Sequence, residues 1–459
     1  MYDTVIIGAG MSGLAAGIRL AYYDRPVCIV ERHTAIGGLN SFYRLNGRTH
    51  DVGLHAVTNY AAKGGRRGPL AKLLRQLRLD WEDFNLAPQR GSAIVFPGVT
   101  LRFGNDPDLL RSEIRRAFPA QTGNFERLLD ELADYDQLGS PSTCRSARQA
   151  AGRLLDDPLL VEMLFCPVMC YGGARERDMD FGQFSVLFRS IFLEGLGRPA
   201  DGIRTILAAL GRKFRGLGGE LRLGTGVRRI GISSGSADRV ILEDGTELPA
   251  RRILSCAGWR ETLRLCGVPP DDPAPGLQGI SMVESISVLG VQPQALGIDR
   301  TAVFFNDSAE FHYARPDDLV DLHLGVVCSP NNFSYDQPLA EGIVRVTALA
   351  NYDRWAALDP DAYRLAKRRS YDHLAASAVR FVPDFRSAVI DTDLFTPVTI
   401  RRFTGHDGGA VYGAPEKRYD GRTHLANLFL CGADQGLVGI VGAMLSGIAI
   451  ANRYLLGPE

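Results

Sequence analysis

The hydrophobic pattern of the N-terminal part of the chain predicts two buried strands with a helix between them. Residues 4–7 and 26–30 are short runs rich in apolar and β-branched residues, with the length of buried strands. Residues 14–23 between them suit a helix. A strand, a helix and a second strand in this order predict a βαβ unit, in which the two strands run parallel.

A glycine-rich turn joins the first predicted strand to the helix. Gly8 permits the tight turn, Gly10 lets the backbone approach a pyrophosphate, and Gly13 allows the helix to pack closely on the strand. The helix N-terminus presents free N–H groups to phosphates. Glu31, 18 residues after Gly13, ends the second strand and can accept hydrogen bonds from an adenosine ribose. These features predict a dinucleotide site and leave both FAD and NAD open.

Further glycine-rich segments follow this unit and recur at the far end of the chain. A glycine pair follows Glu31 at positions 37–38, and residues 51–55 read Asp-Val-Gly-Leu-His. Residues 427–434 predict a strand, and residues 439–455 predict a glycine-rich turn that opens the final helix, whose N-terminus tolerates an anion. These segments, in this order, resemble the flavin-containing amine oxidase and phytoene desaturase superfamily.

Three other stretches narrow the resemblance to one branch of that superfamily. Residues 197–203 (Gly-Arg-Pro-Ala-Asp-Gly-Ile), 396–399 (Thr-Pro-Val-Thr) and 407–413 (Asp-Gly-Gly-Ala-Val-Tyr-Gly) resemble the phytoene desaturase, carotenoid isomerase and retinol saturase branch. Leu39 departs from it, because many members have an arginine after the paired glycines. The resemblance implies FAD rather than NAD. It also implies an α/β fold, with a Rossmann-like FAD-binding domain of the glutathione-reductase type interleaved with an α+β substrate domain.

The resemblance also implies which residues bind FAD. Val227 would contact the adenine through its backbone, and Asp434 would lie near the ribityl or phosphate portion. The expected cofactor-binding residues are Gly8, Gly10, Met11, Ser12, Gly13, Glu31, Arg32, Gly38, Leu39, Asn40, His55, Val227, Ala257, Gly432, Asp434, Gly439, Ile440 and Val441. The sequence predicts neither a metal site nor a second nucleotide fingerprint. Oxygen or a quinone is therefore the expected electron acceptor, rather than a built-in nicotinamide.

His55 and Tyr171 are the candidate catalytic residues. In proteins of this superfamily the segment that ends at His55 leads the chain toward the isoalloxazine ring, so an imidazole there can move a proton or orient the flavin. A hydrogen-bonded structural histidine is the alternative. Tyr171 either faces the substrate chamber or packs in the core. We expect Asp51 to satisfy backbone groups rather than act as a base, and His406 and Asp407 to lie in an exposed loop.

The interleaved organisation predicts discontinuous domains. The FAD-binding domain is expected to comprise residues 1–65, 197–262 and 395–459, and the substrate-binding domain residues 66–196 and 263–394. An Asp-Gly turn at positions 244–245 predicts an antiparallel hairpin. In the second insert, residues 285–292 and 343–350 predict buried strands, and residues 360–381 predict a helix.

The first insert, residues 66–196, is expected to be mostly helical. Its leucines at positions 70, 73, 74 and 77 share one helical face, which packs on the core of the protein or, alternatively, contacts lipid as an interfacial helix. Residues 159–171 and 186–193 are strongly apolar. They predict core helices, or walls of a long hydrophobic tunnel, and the two interpretations are compatible.

Composition limits the partners and the location. The 459 residues are 45% hydrophobic and carry zero formal net charge, so neither nucleic acid nor an anionic surface is an expected partner. No apolar run of about 18 residues predicts a membrane span. The N-terminus enters a strand without a signal peptide, which favours a cytoplasmic location, with peripheral contact at a membrane surface as a hypothesis. The eight cysteines are expected to be free thiols. The oligomeric state stays open.

These features predict an FAD-dependent oxidoreductase of the phytoene desaturase type, connected with carotenoid biosynthesis. Its expected activity is desaturation, isomerisation or saturation of an apolar isoprenoid polyene. One alternative is a flavin amine oxidase or a protoporphyrinogen-type oxidase, which a polar or aromatic-lined chamber would favour. A second alternative is a flavin-binding, redox-responsive protein without turnover.

Overall fold

The computed structural model describes residues 1–134, 145–271 and 279–457. Cys144, one of the expected free thiols, lies outside the described residues. The strands are β1 (Tyr2–Ile7), β2 (Val27–Glu31), β3 (Phe42–Leu45), β4 (Arg48–Asp51), β5 (Val57–Thr58), β6 (Ala87–Pro88), β7 (Ser92–Phe96), β8 (Val99–Phe103), β9 (Leu196–Arg198), β10 (Glu220–Leu223), β11 (Val227–Ser233), β12 (Ser236–Leu242), β13 (Glu247–Ser255), β14 (Ser281–Leu289), β15 (Ala302–Asn306), β16 (Leu324–Cys328), β17 (Gly342–Ala350), β18 (Val389–Phe395) and β19 (Leu428–Leu430).

The described residues also form thirteen α-helices. They are α1 (Met11–Ala21), α2 (Gly68–Leu77), α3 (Pro107–Ala117), α4 (Thr122–Asp134), α5 (Ala147–Gly152), α6 (Pro158–Cys170), α7 (Phe181–Phe188), α8 (Ile203–Gly216), α9 (Trp259–Leu265), α10 (Tyr352–Ala356), α11 (Pro360–Ala378), α12 (Pro397–Thr404) and α13 (Gly439–Ile450).

The first sheet contains the predicted βαβ unit. Its strand order is β10-β2-β1-β13-β12-β11, with β19 also paired to β13. Strands β10, β2, β1, β13 and β19 run parallel, whereas β12 pairs antiparallel with β11 and β13. The hairpin predicted at the Asp-Gly turn is confirmed, since it joins β12 to β13. The predicted α/β class is also confirmed, and the strands of this sheet come from three separate stretches of the chain.

Close packing of α1 and α13 brings the two ends of the chain together over this sheet. A Cβ on Gly447 of α13 would lie only 2.0 Å from the backbone oxygen of Ser12 in α1, so the helices touch backbone to backbone at this point. The apolar residues of both helices are buried against the sheet. This contact sets the N-terminus of α1 against the C-terminal half of α13.

The second sheet has the order β18-β14-β17-β16-β15-β7-β8 and is antiparallel except where β15 pairs with β7. Strands β14 and β17 and helix α11 correspond to the elements predicted in the second insert, which are confirmed. The hairpin β7–β8, joined through Pro97 and Gly98, was missed, so the first insert is not uniformly helical. Tertiary pairing with β15 stabilises that hairpin.

The apolar helices of the first insert pack inside the protein. The leucines of α2 at positions 70, 73, 74 and 77 are all buried in the core that includes α1, α8 and α13. The face proposed to contact lipid is therefore occupied by protein. Helices α6 and α7 are also buried, in the core over the second sheet. None of the described helices is long and apolar enough to cross a membrane.

A buried ion pair connects the β3–β4 hairpin to α8. The Oδ2 atom of Asp51 lies 2.5 Å from Nη2 of Arg198, and its Oδ1 accepts the N–H of Ile203 at 3.2 Å, at the start of α8. Both charged side chains are less than a tenth exposed. Gly202, just before α8, has a φ of +68°, and any Cβ there would collide with the Asp51 carboxylate. Asp51 thus satisfies a helix terminus, as predicted.

Substituting Asp51 tests the importance of this buried pair. We expect Asp51→Ala to lower the free energy of unfolding by about 3–5 kcal/mol, because it leaves Arg198 charged and unpaired in the interior. The matched control is Asp361→Ala, which breaks an exposed pair with Arg364 in α11 and should barely change stability. Urea unfolding of both variants measures the difference, and equal losses would contradict this role of Asp51.

Candidate cofactor and active site

The turn between β1 and α1 has the geometry of a phosphate-binding cradle. Gly8 has a φ of +101°, a conformation that favours glycine. A Cβ on Gly13 would lie 2.1 Å from the carbonyl oxygen of Gly8, so only glycine lets α1 approach this closely. A Cβ on Gly10 would meet nothing within 4 Å, because this residue faces an open cavity. The N-terminal N–H groups of α1 are therefore free to bind an anion.

Glu31 is fixed beside the same turn by backbone hydrogen bonds. Its Oε2 accepts the N–H of Ala9 at 2.9 Å, and its Oε1 accepts the N–H of His33 at 3.0 Å. Each carboxylate oxygen keeps lone-pair capacity for a second donor, such as a ribose hydroxyl. The glycine cradle and this acid together fit the adenosine diphosphate part of a dinucleotide.

The cradle opens into a cavity of about 560 Å³ that extends from Glu31 to the second sheet. Most of the cofactor-binding residues predicted from the sequence line it. They are Gly8, Gly10, Met11, Ser12, Glu31, Arg32, Gly38, Leu39, Asn40, His55, Val227, Ala257, Gly432, Asp434, Gly439 and Ile440. Residues more than 400 positions apart in the chain are thus brought around one space.

Two of the predicted cofactor-binding residues lie outside the cavity wall. Gly13 sits behind Gly8, where the absence of a side chain lets the helix approach the strand. Val441 is fully buried in α13 and packs against the core of the first sheet. Their contribution is to packing rather than to direct contact with a ligand.

The wall opposite the cradle comes from the second sheet, from the first insert and from the loop before β19. The sequence identified Tyr171 as a candidate, and the apolar segments 159–171 and 186–193, proposed as tunnel walls, include Cys170 and Leu187. The residues that the sequence analysis missed include Met282, Val283, Glu284, Leu324, Val326, Thr347, Ala348, Val411 and Tyr412. Among the missed residues only Glu284 has a local signal in the sequence, because it is a carboxylate within a buried strand (β14).

His55 and Tyr171 lie side by side in this cavity. The Nε2 atom of His55 lies 3.0 Å from Oγ1 of Thr347 and 3.3 Å from Oε1 of Glu284. The ring centroids of His55 and Tyr171 are 5.8 Å apart. The hydroxyl of Tyr171 is buried without a hydrogen-bond partner among the described residues. Burial raises the pKa of Tyr171 well above its usual value, so the phenol stays protonated.

Glu284 and Arg345 form a buried ion pair behind His55. The guanidinium of Arg345 donates to Glu284 through Nε, to the backbone oxygen of Leu54 at 3.1 Å and to that of Asp51 at 3.0 Å. Burial alone would raise the pKa of Glu284, but the charges of Arg345 and His55 outweigh it and lower the pKa to about 2. The network holds the segment from Asp51 to His55 against the second sheet.

Asp434 has a structural role in addition to its place in the cavity wall. Its Oδ2 accepts the N–H of Trp259 at 2.6 Å, and its Oδ1 accepts the N–H of Ala414 at 2.7 Å. The buried carboxylate therefore ties the start of α9 to the loop before β19. Both segments are parts of the cavity wall, so Asp434 shapes the site through the backbone.

The expectation that His406 and Asp407 lie in an exposed loop was wrong. Both are half-buried, and His406 lines the cavity. Burial disfavours protonation of His406, but its contact with Glu261 outweighs burial and raises the pKa of the imidazole. Asp407 pairs with two arginines of α9, Arg260 and Arg264. Distant segments create these contacts, so the local sequence could not predict them.

Comparison with known proteins gives consistent matches over nearly the whole chain. The family model described as flavin containing amine oxidoreductase matches residues 11–455. A prolycopene isomerase of an Oncidium hybrid cultivar is 22% identical over 98% of this chain and 83% of its own length. A lycopene-forming phytoene desaturase of Pseudescherichia vulneris is 25% identical over 99% of both chains. The solved structure of a putrescine oxidase bound to putrescine has a TM-score of 0.64 at 17% identity and covers 98% of each chain. That last similarity shows the fold alone.

Two glycine substitutions separate cofactor binding from folding. Gly10→Ala adds a methyl group that meets no protein atom, so we expect unchanged stability of the cofactor-free protein and weakened FAD binding. Gly13→Ala forces α1 away from Gly8, so it should lower both stability and FAD binding. Thermal unfolding without FAD and flavin fluorescence titration measure the two effects. Unchanged FAD affinity in Gly10→Ala would contradict the assignment of the cradle.

The Glu284–Arg345 pair is expected to make the free energy of unfolding fall at acid pH. A carboxyl whose pKa is depressed by folding stabilises the protein above its unfolded pKa, and this contribution is lost as the pH falls through the folded pKa. We expect up to about 3 kcal/mol of stability to disappear as the pH falls from about 4.5 to about 2.

The matched variant for that experiment combines Glu284→Gln with Arg345→Met, which removes both charges and leaves neither unpaired. Urea unfolding over a pH series should give a shallower acid loss for this double variant, because the other carboxyls titrate in both proteins. Parallel curves for wild type and variant would contradict the shift assigned to Glu284.

Proposed function

The chain belongs to the flavin containing amine oxidoreductase family, and from that premise we propose that it desaturates, isomerises or saturates an apolar isoprenoid polyene. Membership of the family makes the protein an FAD-dependent oxidoreductase, so the alternative of a flavin-binding protein without turnover is set aside. The choice of a polyene substrate is the proposal. Relatives that match almost the entire chain carry the names prolycopene isomerase and phytoene desaturase, which supports it.

The observation that carries the proposal is the apolar wall opposite the cradle. Leu187, Met282, Leu324 and Val326 contribute aliphatic and thioether side chains to the cavity wall. Such a surface favours a hydrocarbon and excludes water from the reacting atoms. A strongly hydrated substrate would lose its hydration there without compensation.

We propose that the two ends of the cavity have different functions, with the cofactor bound at the cradle and the substrate at the apolar wall. The cradle at Gly10 and the N-terminus of α1 would hold the pyrophosphate, and Glu31 would orient the ribose. We further propose that the FAD-binding and substrate-binding domains follow the two sheets, with the boundaries expected from the sequence. Bound FAD supplies hydride transfer, while the protein supplies position, exclusion of water and proton handling.

His55 is the proposed proton carrier. Its Nε2 is engaged by Thr347 and Glu284, which fixes the ring and leaves Nδ1 to take or return a proton at a substrate carbon. Tyr171 would hold the substrate beside this ring, because the two residues are in ring contact and line the same cavity.

We predict that His55→Ala lowers the turnover rate by about 10²–10⁴-fold, the usual range for loss of a general acid or base. FAD should still bind, because the cradle and Glu31 are untouched. His50→Ala is the control, since His50 is also buried but does not line the cavity. Stopped-flow measurement of turnover, beside flavin fluorescence for binding, checks both. Equal losses in the two variants would favour a structural role for His55.

Amine oxidation is the second candidate, and a specific feature favours it. The rings of Tyr171 and Tyr412 and the carboxylate of Glu284 all contribute to the cavity wall. Aromatic faces and a carboxylate attract a cationic amine. Against this, Glu284 is already neutralised by Arg345, which leaves less charge for a substrate cation.

A substrate panel distinguishes the two candidates. FAD-loaded protein is incubated with phytoene, with a poly-cis carotene or retinol under reducing conditions, and with putrescine. Oxygen and a quinone serve in turn as electron acceptor for the oxidative reactions, and products are identified by chromatography. We expect conversion of at least one polyene and none of putrescine. Conversion of putrescine alone would overturn the polyene assignment and establish the amine alternative.

A further inference from the structure

Two cysteines lie in contact at the tips of neighbouring strands of the first sheet. Cys256 directly follows β13 and Cys431 directly follows β19, and these strands run parallel with Ser255 opposite Leu430. The next residue of each strand is the cysteine, so the two side chains are direct neighbours. Their Sγ atoms are 3.2 Å apart. A disulfide requires about 2.05 Å between sulfurs, so a shift of roughly 1 Å would join them.

Both thiols belong to the wall of the cofactor cavity. Cys256 is half-buried, whereas Cys431 is only 2% exposed. The Sγ atom of Cys256 lies 3.2 Å from the position of a Cβ on Gly13, so the pair sits directly beneath the glycine cradle. The residues that follow, Ala257 and Gly432, also line the cavity. Movement of the two sulfurs therefore moves the cofactor site.

The two thiols differ in their access to a reagent. Burial raises the pKa of Cys431 well above its usual value, which suppresses its thiolate. Cys256 is the more exposed of the pair and opens on the cavity. Cys256 is thus the thiol that a small oxidant entering the cavity meets first, with Cys431 behind it as the second thiol.

We propose that Cys256 and Cys431 are a peroxide-sensitive modification site, which closes to a disulfide in the cofactor-free protein and is shielded by bound FAD. The thiolate of Cys256 attacks the O–O bond of hydrogen peroxide, forming a sulfenic acid and hydroxide. The thiol of Cys431 then attacks the sulfenic sulfur, loses its proton and releases water. In total two thiols give two electrons to one peroxide molecule, and one disulfide and two water molecules result.

The same geometry couples oxidation to cofactor binding. Closing the disulfide draws the tips of β13 and β19 together and displaces Ala257 and Gly432 in the cavity wall. Because thermodynamic coupling is reciprocal, a cofactor that favours the dithiol form must bind the disulfide form more weakly. We expect the dissociation constant of FAD to rise about tenfold on oxidation, within the usual range of coupling between two sites.

The test compares cofactor-free and FAD-loaded protein, each treated with hydrogen peroxide in small molar excess. After alkylation in denaturant, peptide mapping by mass spectrometry measures the peptide that joins Cys256 to Cys431. We expect it in the cofactor-free sample and strongly reduced in the FAD-loaded one. Fluorescence titration of the oxidised protein should show the weaker FAD binding, and a dithiol reductant should restore it.

Two variants accompany the wild-type measurement. Cys431→Ser should leave Cys256 as a sulfenic or sulfinic acid with no joined peptide. Cys266→Ser is the matched control, because Cys266 is also half-buried but lies after α9, away from the pair. This variant should still form the disulfide between Cys256 and Cys431. Oxidation of other thiols without the joined peptide in wild-type protein would overturn the proposal. Equal joining with and without FAD, or unchanged FAD affinity after joining, would also overturn it.

Discussion

The buried guanidinium of Arg345 is the contact on which the arrangement of the site depends. It stands on β17 of the second sheet and donates to Glu284 on β14 and to the backbone oxygens of Leu54 and Asp51. A cation in the interior is tolerated only when its donors are satisfied, so these partners cannot separate without a large cost. The segment from Asp51 to His55, which follows the β3–β4 hairpin, is thereby fixed to the second sheet.

This fixed segment links the cofactor part of the cavity to its opposite wall. At one end of the segment, the carboxylate of Asp51 pairs with Arg198 and accepts a hydrogen bond from the first turn of α8. At the other end, Glu284 and Thr347 hold the Nε2 atom of His55 by hydrogen bonds beside the cavity. The residue proposed to carry a proton is therefore oriented by charges that belong to the framework of the protein. Electrostatic positioning of this kind needs no movement during the reaction.

Local sequence patterns predicted the cofactor half of the molecule well. The βαβ unit, the β12–β13 hairpin and α13 each have a short signal, because turns and helix termini are determined by a few adjacent residues. The opposite wall had weaker signals, namely the apolar segments 159–171 and 186–193 and the carboxylate of Glu284. Thr347 and Tyr412 reach the cavity only because the second sheet and the loop before β19 fold over it, and His406 is buried by contacts with α9. The hairpin β7–β8 was missed for a related reason, since it pairs with a strand about 200 positions later.

An experimental structure of the FAD-loaded protein tests the central claim most directly. The claim is that one cavity, with the glycine cradle at one end and the second sheet at the other, holds the cofactor and presents it to His55. We predict the pyrophosphate at Gly10, the ribose at Glu31 and the isoalloxazine ring beside His55 and Tyr171, facing the apolar wall. A cofactor whose ring points away from His55, or lies outside this cavity, would contradict the proposed site.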